Sequence, residues 1–302
     1  MIRISLVIAT YNRAGSLAET LGSVAQQTLP AGEWECIVVD NRSTDDTAVR
    51  FEAFAAGCPQ LNMRRIYEER QGLSHARNAG IAAAQGEYIA IVDDDERLNP
   101  EFLAAYAALF DSYPEAMSAG GRVIAEYETG RPRWMSPFTE QPIANPTDWG
   151  DRVRPFPRGH IPAGGNMAFR RTAFERWGLF NPELGRVGTR LIGGEESDLF
   201  ARLREAGAPC YYVPGAVIGH RIPASKLTDD YFDRLCRNVG VSQRTRAAMA
   251  GREAELRRRE RLKWGATLLL AAWYVLTLRV PKARYLVRMR RNISKGIYES
   301  GV

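Results

Sequence analysis

Cysteine and histidine are scarce in this 302-residue chain, at four and three respectively. Cys36, Cys58, Cys210 and Cys236 are widely scattered and form no C-x-x-C pair, which excludes a disulfide framework and a cysteine zinc site and fits a reducing cytosol. No G-x-G-x-x-G follows the first apolar run, and no G-x-x-x-x-G-K-[ST] occurs, so neither the dinucleotide fingerprint nor the P-loop is present. The apolar run after Met1-Ile2-Arg3 stops at Ala9, too short for a signal peptide, and the chain is expected to begin inside the cell. No unit of 20–50 residues repeats, which excludes a solenoid.

What is present is ordinary globular composition, 45% hydrophobic and 25% charged, enough for one large α/β domain or a catalytic domain with an appendage. The net charge of +6 is unevenly placed. Residues 252–302 hold 13 Lys/Arg against 4 Asp/Glu, so the preceding residues carry a net −3. A basic tail on an acidic body argues against nucleic acid as a partner and directs attention to the tail.

Short continuous apolar runs at Ile4–Ala9, Cys36–Val39 and Tyr88–Val92, with a weaker one at Met63–Tyr67, alternate with helix-favouring segments at 17–27, 47–56, 74–84 and from Pro100 on. This βαβ succession predicts a parallel sheet with ligands at the carboxyl ends of its strands. Residues 130–162, rich in Pro, Gly, Arg and Trp without clear periodicity, read as a long loop. Helices are expected at 171–177 and from Glu195.

Three of these strand ends carry chemistry. Asp93-Asp94-Asp95 follows an apolar strand, and adjacent carboxylates repel unless cations or donors neutralise them. Such hard oxygen ligands suit Mg²⁺ or Mn²⁺, ions that also bind substrate phosphates. A solvated acidic turn is the plainer alternative. Asp40 ends another strand and is placed to accept from a base N–H or ribose hydroxyls, or else to cap its own turn. The first strand ends at Thr10-Tyr11-Asn12-Arg13.

Six segments, in order, resemble the inverting glycosyltransferases of family 2, which have the GT-A fold. They are Val7–Arg13, Val38–Thr47, Gly72–Gly80, Val92–Glu96, Gly164–Asn166 and Gly193–Leu203, and the resemblance covers about residues 3–225. It implies an α/β GT-A fold, Rossmann-like, with a mostly parallel central sheet flanked by helices. It implies that Thr10, Tyr11, Asn12, Arg13, Asp40 and Arg77 line the nucleotide pocket, that Asp93 and Asp94 meet ribose and diphosphate, and that Asp95, with Asp93 and His220, holds the metal. Arg158 and Asn166 are candidates for contact with acceptor or diphosphate. The family commonly reads Glu-Asp-x-Asp/Glu where this chain has Glu195-Glu196-Ser197-Asp198, so the base aspartate maps to Glu196, with Asp198 and Glu195 as alternatives. From the residues themselves, three carboxylates in the first turn of a helix also simply favour its dipole. His220, after the apolar segment 211–218, is equally readable as a structural histidine, and His75 and His160 as loop or surface residues.

The uncharged run Trp264–Leu278 would span about 22 Å as a helix, short of the ~30 Å hydrocarbon core. Flanked by Arg257, Arg258, Arg259, Arg261 and by Arg279, Lys282, Arg284, Arg288, Arg290, Arg291, it reads as an interfacial anchor for an anionic membrane surface, the alternative being a helix packed on the domain or across a homodimer. The expectation is a catalytic domain over 1–225 and a helical, basic extension over 226–302. Function is expected to be transfer of a sugar from a nucleotide-sugar, a UDP-sugar foremost, to a glycan or lipid-linked acceptor in polysaccharide or cell-envelope assembly. The enzyme would use Mn²⁺ or Mg²⁺ and sit at the cytoplasmic side of the membrane. A catalytically silent nucleotide-sugar-binding scaffold and a sugar nucleotidyltransferase are the rival readings.

Overall fold

The computed structural model describes residues 1–188 and 193–299. In chain order the elements are β1 (Ile4–Thr10), α1 (Ala14–Val24), β2 (Trp34–Asp40), α2 (Thr47–Gly57), β3 (Met63–Tyr67), α3 (Leu73–Ala83), β4 (Tyr88–Asp93), β5 (Glu96–Leu98), α4 (Phe102–Ser112), β6 (Ser118–Tyr127), α5 (Pro137–Ala144), β7 (Arg154–Pro155), β8 (Met167–Arg170), α6 (Arg171–Trp177), α7 (Glu195–Glu205), β9 (Cys210–Ile222), α8 (Asp229–Met249), α9 (Glu253–Leu276) and α10 (Val280–Tyr298). The described strands form one sheet in the order β3-β2-β1-β4-β8-β6-β9-β5, with β7 on β9. β3, β2, β1 and β4 are parallel, while β8 joins β4, and β5 joins β9, antiparallel.

β1 and β2 are buried along their whole length because the parallel part of the sheet is covered on both sides. Ile4, Leu6 and Ile8 face Leu17, Leu21 and Val24 of α1 and the α4 side chains. Val7 and Ala9 face the opposite core, with Ala76 and Ile81 of α3 and Leu199, Phe200 and Leu203 of α7. Period-two alternation thus splits each strand between two cores, and the sequence shows only a continuous apolar run.

The chain divides into two compact units. The first holds Met1–Ile124, Thr147–Gly188 and Glu195–Arg221, the second Ala125–Pro146, Gly193–Gly194 and the described residues from Ile222 on. The second has its own core, in which Phe232, Leu235 and Cys236 of α8 meet Ala271 and Tyr274 of α9 and Leu286, Met289 and Ile293 of α10.

Among the elements that depart from the sequence reading are α5 and β6. Residues 130–162, expected as loop, contain α5, started by a capping box in which Ser136 and Thr139 satisfy each other's backbone N–H. β6 lies in a stretch with no expected element. Its Gly121 is obligatory, since a Cβ there would stand 1.9 Å from the Ala216 carbonyl oxygen.

Candidate active site

Parallel register places the strand ends at one edge. Thr10 pairs with Asp40, and Ala9 with Asp93. The loops beyond are tied to one another. Asn12 takes a left-handed conformation (φ 51°), and its Oδ1 accepts from the Thr44 N–H at 2.7 Å while its own N–H donates to Ser43 Oγ at 3.0 Å. Asp40 Oδ1 accepts from the Ser43 N–H at 2.9 Å and Oδ2 pairs with Arg65 at 3.3 Å, so Asp40 caps its own turn. Asn41 donates to the Glu68 and Arg70 carbonyls and accepts from the Gly72 N–H, fixing the entry to α3. Tyr11 is exposed on this rim.

The acidic run after β4 sends its carboxylates in different directions. Asp94 is buried, accepting from Thr10 Oγ1 at 2.7 Å and from Arg13 at 3.0 Å, and its carbonyl oxygen accepts from Thr20 Oγ1. Burial pushes its carboxyl up to about 6, against the pull of Arg13. Asp95 pairs with the same Arg13 nitrogen at 2.8 Å. Burial opposes the charge on Arg13, but the two carboxylates more than compensate and hold its guanidinium protonated. Glu96 opens β5 directly opposite His220 on β9, and ligand atoms of Asp95, Glu96 and His220 lie within 4.8 Å of one another. Two carboxylates and an imidazole form a donor set that suits Mn²⁺ better than Mg²⁺, because the smaller ion favours all-oxygen coordination. The fourth acid in the run, Glu96, was not singled out from sequence; its adjacency to the aspartates was the available signal. Asp93, expected beside the metal, instead accepts from Arg77.

Arg77, on α3, is the centre of a second cluster. Only 1% exposed, its guanidinium donates to Asp93 Oδ1 (3.0 Å), Glu195 Oε1 (3.1 Å), Glu196 Oε1 (2.9 Å) and the Gly164 carbonyl (3.2 Å), and it sits over the Phe180 ring at 5.5 Å. Asn78 fixes Phe180 by bonding both its N–H and its carbonyl. Expected at the nucleotide, Arg77 is thus enclosed by protein carboxylates. The Gly164-Gly165 pair leaves room for them: a Cβ at Gly164 would lie 2.1 Å from Glu196 Oε1, and one at Gly165 3.2 Å from Asp93 Oδ2.

One cation faces three carboxylates here, and the structure distinguishes them. Burial raises the Glu195 carboxyl and the adjacent Glu196 charge adds to that, favouring its protonated form; among the described residues its Oε2 has no hydrogen-bond partner. Burial also works against a charged Glu196, but attraction and hydrogen bonding to Arg77 prevail and its carboxyl is lowered. Glu196 retains partial exposure whereas Glu195 has almost none. Asp198 belongs to neither cluster: it pairs with Arg202 at 3.0 Å, one turn along α7, and Arg202 also donates to the Trp177 and Leu179 carbonyls.

The remaining candidates lie apart in role. Asn166 is fully buried, its amide donating to the Arg122 and Ala216 carbonyls and accepting from Tyr106, so it ties β6, β8 and β9. Arg158 is exposed in the turn before His160.

Known proteins that this chain is similar to are glycosyltransferases. The chain is 24% identical over 225 residues to a glucosyl-dolichyl phosphate glucuronosyltransferase of Haloferax volcanii, covering 73% of this chain and 70% of that protein. It is 33% identical over 113 residues to the poly(ribitol-phosphate) β-N-acetylglucosaminyltransferase TarS of Staphylococcus aureus, a match spanning 37% of this chain but only 20% of TarS. Its fold resembles that of the mannosyltransferase PcManGT from Pyrobaculum calidifontis, solved with GDP-Man and Mn²⁺, at a TM-score of 0.63 and 20% identity over 99% of this chain and 88% of that one. Residues 5–178, running from β1 through the aspartate-ended strands to the close of α6, match the model of Glycosyl transferase family 2. That match takes in more than half of the chain, which therefore belongs to glycosyl transferase family 2.

Proposed function

We propose that the protein transfers a sugar from a nucleoside diphosphate sugar, a UDP-sugar foremost, to a hydroxyl of a glycan or lipid-linked acceptor, with inversion at the anomeric carbon. The observation that carries this reading is the pairing of two acidic clusters at one sheet edge: a charged, partly exposed Glu196 held by Arg77, and an Asp95-Glu96-His220 group suited to a divalent cation. Thr10, Tyr11, Asn12 and Asp40 would line the nucleoside site, with Asp93 and Asp94 framing ribose and diphosphate.

Glu196 takes the proton of the acceptor hydroxyl as its oxygen attacks the anomeric carbon and the bond to the diphosphate oxygen breaks on the opposite face. Asp95, Glu96 and His220 would hold Mn²⁺, which when bound supplies charge stabilisation to the departing diphosphate. Arg13, already on Asp95, adds a second cation at that end. Arg77 is a positioning residue, orienting Glu196 and keeping it ionised. Glu195, protonated beside it, removes one of the three negative charges that Arg77 would otherwise face.

The catalytic unit is proposed as residues 1–225, with the basic region 252–302 holding the enzyme peripherally at the cytoplasmic face of the membrane. Activity of the purified chain against UDP- and GDP-sugars, with Mn²⁺, Mg²⁺ or a chelator, tests the reading when the anomeric configuration of the product is followed by NMR. Inversion with metal-stimulated turnover of a UDP-sugar is expected; retention of configuration, or full turnover in chelator, would overturn it.

A further inference from the structure

We propose that the corner between α9 and α10 is an apolar tip that inserts among the headgroups of an anionic lipid bilayer. The inference rests on the peripheral-membrane reading of residues 252–302 and names the part of that region that makes contact.

α9 buries a narrow stripe, Thr267, Ala271 and Tyr274, in the core it shares with α8 and α10. Along its second half, the other faces are not polar where they meet solvent. Leu268, Leu269, Trp273, Val275 and Leu276, then Leu278 and Val280 beyond the helix, are each between 50% and 88% exposed. Large apolar side chains clustered at one end of a helical hairpin need an apolar partner, and nothing among the described residues covers them. Among the described residues, no helix is long and apolar enough to cross a membrane, so contact is at the surface.

The corner itself is built against local preference. α9 ends in a Schellman arrangement in which the Arg279 N–H donates to the Tyr274 carbonyl at 2.7 Å and the Leu278 N–H to that of Val275 at 3.0 Å. The residue that must then be left-handed is ordinarily glycine, and here it is Leu278, at φ 58° and 88% exposed. The chain thus accepts backbone strain at the position where it displays its most exposed leucine.

Charge selects the occupant. Exposed Arg279 and Arg284 follow the tip, and Arg257, Arg258, Arg261 and Lys263 are exposed along the first half of α9. A second copy docking on this face would bring like charges together, whereas an anionic bilayer complements the cations and accepts the leucines and Trp273 at headgroup depth.

Flotation of the full chain with vesicles of phosphatidylcholine, alone or containing phosphatidylglycerol, tests this. Wild type is expected to float with the anionic vesicles and less with the neutral ones. Leu278→Gly relieves the left-handed strain, so its thermal midpoint should match or exceed wild type while its vesicle affinity falls about tenfold. Leu276→Ser should weaken binding similarly, and Arg279→Glu with Arg284→Glu should remove the preference for anionic vesicles. No flotation of the wild-type chain with either vesicle would overturn the peripheral reading itself. Flotation unchanged in both leucine variants would overturn the tip alone. A concentration-dependent dimer, dissociated by Leu276→Ser and not floating, would assign the face to a second copy instead.

Discussion

Arg13 and Arg77 solve the same problem in opposite ways. Each gathers carboxylates at the carboxyl edge of the sheet, but Arg13 has 39% of its side chain exposed and serves Asp94 and Asp95, whereas Arg77 is buried and serves Asp93, Glu195 and Glu196. A cation open to solvent can swing away at small cost to itself, because water takes up its charge, and another cation can take its place on the carboxylates. A buried one cannot, because removing it strands charges in a low-dielectric interior. The Arg13 side therefore has the character of a binding centre, one where ligands and ions exchange. The Arg77 side has that of a fixed frame around the proposed base, Glu196.

Arg77→Met breaks the comparison most severely. Taking the cation from Asp93, Glu195 and Glu196 should lower stability by about 3–5 kcal/mol and abolish turnover, measured by chemical denaturation and donor consumption. Arg13→Met, the matched change on the open side, leaves the buried Asp94 with Thr10 Oγ1 and should cost about 1–3 kcal/mol of stability, less than Arg77→Met, while acting mainly on donor affinity. Equal destabilisation by the two variants would erase the distinction. Asp95→Asn should leave the fold intact and weaken Mn²⁺-dependent UDP binding about tenfold or more, read by calorimetry with and without the metal. Wild-type metal dependence in that variant would remove Asp95 from the cation site.

The sharpest electrostatic prediction concerns Glu195. Its carboxyl is raised from 4.5 to about 8 in the folded chain, so in that interval the native state holds a proton the unfolded state has released. Its contribution to stability is therefore fully present below about pH 4.5 and is lost as pH rises through about 8. Glu195→Gln, which mimics the protonated acid, should show a flatter stability profile than wild type between these limits while keeping most of its activity. A profile parallel to wild type would mean that Glu195 is ionised. The smallest effect is expected at Asp198: Asp198→Asn loses a half-exposed pair with Arg202 worth about 0.5 kcal/mol and should leave turnover within about threefold.

The strands that position the site were legible because parallel strands covered on both faces leave an uninterrupted apolar run ending in polar residues, as β1, β2 and β4 do. β6 left no such trace: Gly120 and Gly121 allow close passage under Pro162 and Ala216, at the expense of apolar signal. α5 was hidden by Pro142 within it and showed only its cap, Ser136-Pro137. The first helix begins at Ala14, three residues before the expected Leu17, because the Asp45 carboxylate, distant in sequence, accepts from the Ala14 N–H. Within the site, sequence supplied Arg77, His220 and the acids other than Glu96, but not which of them meet. Which carboxylate meets Arg77, and which meets His220, depends on strand register and on a glycine pair that opens the space.

The proposed chemistry depends above all on Glu196 as the base. The direct measurement compares donor affinity with turnover in Glu196→Gln, beside Asp198→Asn and Glu195→Gln, using the active nucleotide-sugar and Mn²⁺. Glu196→Gln is expected to bind donor as wild type does and to turn over about 10²–10⁴-fold more slowly, with the other two near normal. Near-normal turnover in Glu196→Gln with the loss appearing in Asp198→Asn would contradict it.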